Sequence, residues 1–309
     1  MVSLGLNAQN QYQVNTSATN INTQNSATWV PTLTYSSLKS GLRFMVLPAV
    51  KGSAYELDFK TKNDGKTLLL KDFAGKIFTY KKWTDISQKN GDIKRRFYFD
   101  CDGKEYFLEI YKPDNEEKTV NWKTSSIVWL EEIDAVKKKL EGKAFWLNAD
   151  EWKHEINGKT AYTNSTERYA KVTVLQVGAG NYSNQPVRVL FRNEKDQKQY
   201  FLDGCVSGSL GSCFLSSGRL QDWFSTEAPE TKYPQVQKAF WAAIKNREVK
   251  TGMTEEETLL SLGKPNNRES YNKGKDKFVV LNYQPTDPKP YYLSILLKNN
   301  KVAEINKSE

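Results

Sequence analysis

Residues 249–265, Val-Lys-Thr-Gly-Met-Thr-Glu-Glu-Glu-Thr-Leu-Leu-Ser-Leu-Gly-Lys-Pro, spell a short helix with both of its ends specified. Thr254 can accept a backbone N–H bond at the helix start while Glu257 reaches back to the Thr254 amide, the reciprocal pattern of a capping box. Three carboxylates in the first turn also suit the positive end of the helix dipole. Thr258, Leu259 and Leu262 share one face at helical spacing. Gly263 supplies a left-handed residue to end the helix, and Pro265 prevents it from restarting. Two apolar runs follow, Phe278 to Tyr283 and Tyr291 to Leu297, and a polar Lys-Asn-Asn-Lys turn then leads to Val302 to Ile305. These are strand signals with hairpin spacing. Upstream, Pro234 opens a helical pattern that places Val236, Phe240, Trp241 and Ile244 on one side. Residues 230–309 are therefore predicted to form two helices followed by three antiparallel strands, an ααβββ module.

The middle of the chain carries an internal repeat. Lys71-Asp-Phe-Ala-Gly-Lys-Ile-Phe78 matches Lys138-Lys-Leu-Glu-Gly-Lys-Ala-Phe145, and each is followed by a tryptophan, Trp83 and Trp152. Phe97 to Ile110 reads as two strands about Asp102-Gly103, a dipeptide that favours a tight hairpin turn. Its counterpart runs from Val187 to Asp203, with Gln-Tyr-Phe-Leu where the first copy has Glu-Tyr-Phe-Leu. The second copy is expected to carry an extra strand pair around Val172–Val177. Ile133, Val136 and Leu140 predict a short amphipathic helix leading into it, stopped by Gly142. The fold class is thus α+β and mostly antiparallel β: two small, related, barrel-like β-rich units over 36–124 and 125–225, then the module at 230–309. Residues 1–35 are assigned to a signal remnant and a flexible polar leader.

Eight Trp, sixteen Tyr and fourteen Phe in 309 residues favour strands. No apolar run approaches the roughly 18 residues of a spanning helix, so no membrane span is expected. The net charge of +9 is spread through the chain rather than gathered on one helix or face. That distribution argues against a nucleic-acid partner. No charged residue precedes Lys39. Leu4 to Ala8 resembles the end of a secretory signal with a cut at Gln9, which predicts a periplasmic or extracellular protein. Residues 9–28, almost all Asn, Gln, Ser, Thr and Ala, cannot bury enough apolar area to fold alone. Cys205 and Cys213 bracket a Gly/Ser-rich loop that could close as a disulfide in an oxidising compartment, leaving Cys101 over. One histidine and three scattered cysteines do not supply the ligand set of a zinc site, and no cofactor motif is present.

Catalysis is not expected. His154 lies in a charged stretch that reads as surface. The adjacent pairs Glu131-Glu132 and Glu116-Glu117 should point in different directions, which suits neither geometry of a two-carboxylate hydrolase. Gly178-Ala-Gly180 lacks the Lys-Ser/Thr of a phosphate loop.

The C-terminal signature resembles the SmpA/BamE-like family. Gly252, Met253, Thr254, Leu262, Gly263 and Pro265 stand where that family's pattern has them, and the Tyr283 strand and final hairpin fall in its order. Thr258 departs from the valine usual there. The resemblance covers about a quarter of the chain. It implies a non-enzymatic envelope module of the kind that braces protein assemblies, typically as a lipoprotein; a related tandem arrangement serves as an extracellular enzyme inhibitor. The lipid-attachment cysteine has no counterpart here. The expected function is an adapter or inhibitor-like binder with an envelope protein partner. The alternative is a cell-wall glycan binder with Trp83 and Trp152 as candidate ligand platforms.

Overall fold

The structure is a computed structural model, and it describes residues 29–48, 56–122, 126–149, 151–156, 159–163, 167–211, 213, 219–284 and 292–308. The expected signal remnant and residues 9–28 of the leader lie outside them. Two compact units divide the chain: residues 1–143, 173–192 and 201–222 in one, and 144–172, 193–200 and 223–309 in the other.

Among the described residues, the first part of the chain forms one seven-stranded sheet within the first unit: β1 (Arg43–Val46), β2 (Glu56–Thr61), β3 (Thr67–Leu69), β4 (Ile77–Ser87), β5 (Ile93–Cys101), β6 (Lys104–Tyr111) and β7 (Ile127–Trp129). They pair antiparallel in the order β3-β2-β6-β5-β4-β1-β7. A short helix α1 (Leu70–Phe73) links β3 to β4, α2 (Leu130–Leu140) follows β7, and α3 (Leu220–Trp223) comes late in the chain. Alternation along β5 buries Arg95, Phe97, Phe99 and Cys101 on one face. The rings of Phe44, Phe59, Phe78, Phe99 and Trp122 pack there with centroids 4.5–6.5 Å apart. Asp102 and Gly103, with φ of 52° and 74°, make the hairpin turn between β5 and β6. Among the described residues β3 and β7 remain unpaired outer edges, so the sheet is open and the expected barrel closure is not formed. Trp29 to Tyr35, which composition places in the leader, are described, and Leu33 and Tyr35 are buried in this core.

Seven further strands are β8 (Ala144–Leu147), β9 (Trp152–Ile156), β10 (Lys159–Thr163), β11 (Ala170–Tyr182), β12 (Gln185–Asn193), β13 (Gln199–Gly204) and β14 (Phe224–Ser225). Their order, β10-β9-β13-β12-β11-β8-β14, is the first order advanced by seven at every place. The repetition extends to side chains. On β5 and β6, the Arg96 guanidinium lies 4.1 Å from the Phe107 ring centre and 2.6 Å from the Glu109 carboxylate. On β12 and β13, Arg188 lies 4.3 Å from Phe201 and 2.7 Å from Asp203. Tyr106-Phe107-Leu108 and Tyr200-Phe201-Leu202 therefore mark equivalent strands.

The Gly-Lys match does not. Lys71–Phe78 runs into β4, fifth in its sheet, whereas Lys138–Phe145 runs into β8, sixth in its own. An eight-residue likeness reports only a local habit, here a helix end feeding a strand. The strand pair expected near Val172–Val177 is likewise part of one long strand, β11.

In the second unit, α4 (Pro229–Lys232), α5 (Trp241–Lys245) and α6 (Glu255–Leu262) precede β15 (Asn267–Lys273), β16 (Asp276–Tyr283), β17 (Tyr292–Lys298) and β18 (Lys301–Ser308). These four strands form an antiparallel meander. The module is thus one strand richer than expected. β15, Asn-Arg-Glu-Ser-Tyr-Asn-Lys, is an edge strand exposed at all seven positions, so no apolar alternation announces it. The helix expected from Pro234 is shorter than its pattern: a 3₁₀ turn at Lys238–Phe240 leads into the five-residue α5, and α4 ends before Pro234. Val279, Leu281, Ile295, Leu297 and Val302 pack with Trp241, Ile244 and Met253 as this unit's core.

One buried charge organises the long β4–β5 hairpin. The Arg95 side chain is 1% exposed; Asp85 holds its guanidinium at 2.8 and 3.1 Å, and Glu116 at 2.8 and 2.7 Å. The Arg95 hydrogen bonds hold the Asp85 carboxyl below its ordinary value of 3.8 against the opposing effect of burial. A depressed carboxyl contributes stability that is present above its unfolded value and lost as pH falls through the folded one. Arg95→Ala is expected to cost about 2–3 kcal/mol at pH 7, discounted for the partial exposure of its partners, and the cost should shrink below about pH 4. Urea midpoints of the two proteins across pH 3–7 check this.

Candidate functional site

The C-terminal signature residues converge on α6. Thr254 Oγ1 accepts from the Glu257 amide at 3.1 Å, and the Glu257 carboxylate accepts from the Thr254 amide at 2.7 Å, closing the capping box. The Glu257 carboxylate is 2% exposed and also accepts from the Gln237 amide at 2.9 Å, tying the helix start to the preceding turn. Met253 is fully buried, and its carbonyl accepts the Val302 amide of β18 at 2.7 Å; the Gly252 amide returns a bond to the Val302 carbonyl at 2.9 Å. Leu262 packs against the core from the helix's last turn. Gly263 has φ +85°, a conformation strained for any residue with a side chain, and a Cβ there would also push the end of the Arg168 side chain, 2.8 Å away. Its carbonyl accepts the Tyr283 hydroxyl at 3.1 Å. Pro265 lines a hollow of about 620 Å³ with Gly263, Lys264 and Arg168. The signature residues thus seat the helix on β16 and β18.

Seating the helix on one face of the meander leaves the other face open. Because β-strand side chains alternate, Tyr271, Phe278, Val280, Tyr292 and Leu296 project away from the core. Tyr271 is 50% and Tyr292 39% exposed, and Phe278, Val280 and Leu296 are half-buried. Tyr271 and Phe278 stack at 5.2 Å with ring planes 11° apart. Lys298 reaches over Phe278 at 5.9 Å and pairs with Asp276 at 2.7 Å. The Lys298 and Asn299 hydrogen bonds hold the Asp276 carboxyl below its ordinary value. Glu269, Lys273, Asp276, Lys298, Lys301 and Glu304 border the apolar centre on the same face. This layout, aromatic and aliphatic in the middle with charges of both signs around it, has the anatomy of a protein-recognition patch.

The other residues singled out by sequence are not gathered there. Trp152 is 2% exposed and packs on Tyr200 at 5.3 Å, so it is a core side chain and cannot serve as a ligand platform. Trp83 is 39% exposed, but the Arg95 guanidinium sits 3.6 Å from its ring centre and occupies one face. The two also hold different places in their sheets, β4 and β9. His154, on β9, faces the Tyr200 ring at 6.1 Å. The adjacent carboxylates diverge: Glu131 pairs with Arg43 at 2.9 Å, while Glu132 is buried. Among the described residues, no cluster of His, Cys, Asp and Glu is arranged to hold a metal, and no helix is long and apolar enough to cross a membrane.

Cys205 and Cys213 are joined in a disulfide with Cα atoms 5.5 Å apart, and Cys101 is free and buried, its thiol pushed up to about 12 by burial. Sequence reasoning missed the role of Glu132 in this loop. Its carboxylate accepts the Val206 and Ser207 amides at 3.1 and 2.8 Å from the end of α2 nearest β7. A lone glutamate on an otherwise apolar helix face was the available signal.

No family model and no curated protein matches this sequence. Among solved structures, one described as a "putative beta-lactamase inhibitor protein" from Streptococcus mutans aligns at 8% identity over 63% of this chain and 86% of its own, with a TM-score of 0.19. A TM-score of that size does not establish a shared fold.

Burial raises the Glu132 carboxyl above its ordinary 4.5, against the lowering effect of the Ser207 and Val206 hydrogen bonds. For a raised carboxyl, the stabilisation is complete below the unfolded value and is lost as pH rises through the folded one. Glu132→Gln keeps an oxygen for both amides and removes that dependence. Relative to the native chain, the variant should therefore gain stability between pH 4 and pH 8 in paired urea titrations.

Proposed function

We propose that this chain is a non-enzymatic binding protein of the cell envelope or extracellular space, an adapter or inhibitor-like binder that engages a protein through the open face of its C-terminal meander. The observation that carries the reading is the patch centred on Tyr271, Phe278, Val280 and Leu296, apolar in the middle and ringed by balanced charge. Tyrosine and phenylalanine contribute large buried area at low entropic cost when they meet a partner. The charged border limits indiscriminate association and fixes orientation. Burial of Trp152 and the Arg95 cover on Trp83 weigh against the glycan alternative. The Cys205–Cys213 bridge supports an oxidising compartment. The seating of α6 by Gly252, Met253, Thr254 and Gly263 supports the SmpA/BamE-like reading of the module, whose meander carries the additional strand β15.

A photo-crosslinking amino acid placed at Tyr271, Val280 or Tyr292 should capture one common adduct from envelope extract. Unlabelled native protein should compete that adduct away, and unlabelled Tyr271→Glu/Phe278→Glu should compete at least about tenfold less well. Equal adducts from the exposed control positions Tyr162 and Tyr182, or equal competition by the double variant, would overturn the reading. Salt-resistant co-sedimentation with protein-free peptidoglycan that disappears in Trp83→Ala would replace it with the glycan alternative.

A further inference from the structure

We propose that the hollow beside the Cys205–Cys213 loop binds an anionic sugar, a hydroxyl-rich ring bearing one carboxylate or phosphate. The proposal is independent of the open face of the C-terminal meander. The hollow has a volume of about 520 Å³, the size range of small-molecule pockets and well above what a bare inorganic anion fills. Its described walls carry no carboxylate and no aliphatic or aromatic side chain. Lys118, Thr119, Asn121 and Arg219 line it with charged and polar residues, with Thr32 at one side, while the Ser207 hydroxyl is buried and donates to Ser209 Oγ at 2.8 Å. Lys118 answers Asp114, which leaves the exposed Arg219 guanidinium as the charge available to an incoming anion. Hydroxyl and amide side chains around a cation are the groups that exchange hydrogen bonds with sugar hydroxyls while the guanidinium takes the acid oxygen pair.

The loop that forms one wall is held from several directions before any ligand arrives. The disulfide closes it, Glu132 accepts two of its amides, the Leu33 amide donates to Ser209 Oγ at 2.9 Å, and the Leu210 amide reaches the Val120 carbonyl at 2.7 Å. Thr32 Oγ1 donates to the Ser207 carbonyl at 3.0 Å. Leu210 and Cys213 nonetheless sit at φ 58° and 65°, conformations that side chains other than glycine adopt at an energetic cost. Gly211, at φ +79°, faces Asn121 Oδ1, which a Cβ would meet at 3.5 Å; glycine here keeps the hollow open on that side. A strained loop, most of whose described residues are buried and which is fixed this firmly, is a preorganised wall, which lowers the entropic cost of binding.

Isothermal titration of the full chain with D-glucuronate, glucose 6-phosphate, glucose and acetate tests the assignment. Both anionic sugars should bind with dissociation constants at or below about 10 mM, and glucose and acetate about tenfold or more weaker. Arg219→Gln should weaken both anionic sugars by at least about tenfold while leaving the urea midpoint unchanged. Reduction of the disulfide should also weaken binding, by loosening the wall. Glucose binding as tightly as glucuronate, acetate binding as tightly as glucuronate, undiminished binding by Arg219→Gln, or no heat from either anionic sugar at about 10 mM would each overturn the proposal.

Discussion

The first seven-stranded sheet rests on a single constraint: an open antiparallel sheet has one face to bury, and here that face is built from aromatic rings. Phe44, Phe59, Phe78, Phe97 and Phe99 come from four different strands, and Phe44, Phe97 and Phe99 among them meet Trp122, which lies outside any strand. Large rings span the distance between strands and lock their register, because a slip of one residue would turn each ring to water. The same constraint explains the charged chemistry of the hairpin. Where β4 and β5 run beyond the aromatic cluster, Arg95 takes the inward position that a phenylalanine holds further along. It is tolerated only because Asp85, Glu116 and the Trp83 ring receive it.

How much of this was legible in the sequence follows from how local each determinant is. The capped helix α6 could be read to the residue, because a capping box and a Gly-x-Pro stop are contained within a dozen positions. The Asp102-Gly103 hairpin and the Tyr-Phe-Leu repeat were legible for the same reason. β15 was not, since an edge strand exposed on both faces has no alternation to display. The equivalence of the two seven-stranded sheets was only half visible. Strand order is a property of pairings distant in sequence, and the Gly-Lys likeness that pointed to Trp83 and Trp152 joined strands at different places in the order. Of the candidate site, the residues that seat the helix were apparent, but the open face was not. Its members, Tyr271, Phe278 and Leu296, become neighbours only when three strands are brought into register.

The two regions to which function is assigned differ in physical character. The open face of the meander is broad, aromatic and nearly neutral, suited to the desolvation that drives protein association. The hollow beside the disulfide is small, polar and cationic, suited to a ligand recognised by hydrogen bonds. Each lies within one of the two compact units, and each is underpinned by a buried glutamate. Glu257 fixes the start of α6, and Glu132 fixes the disulfide loop. In both cases a carboxylate accepting backbone amides does what a longer secondary-structure element would do elsewhere.

The shared strand order also has a kinetic side. In each seven-stranded sheet the first strand pairs with the fourth and ends beside the seventh, so neither sheet can be completed until most of its chain is available. Such distant pairings make folding slow, and they leave unpaired edges exposed while the chain waits. Two stretches with the same order in one polypeptide add the hazard that a strand of one joins the sheet of the other. The buried residues that would have to be exchanged differ: β5 brings Phe97 and Phe99 to its core, whereas the matching places on β12 hold Val189 and Phe191, so a strand in the wrong sheet would carry one ring too many or one too few.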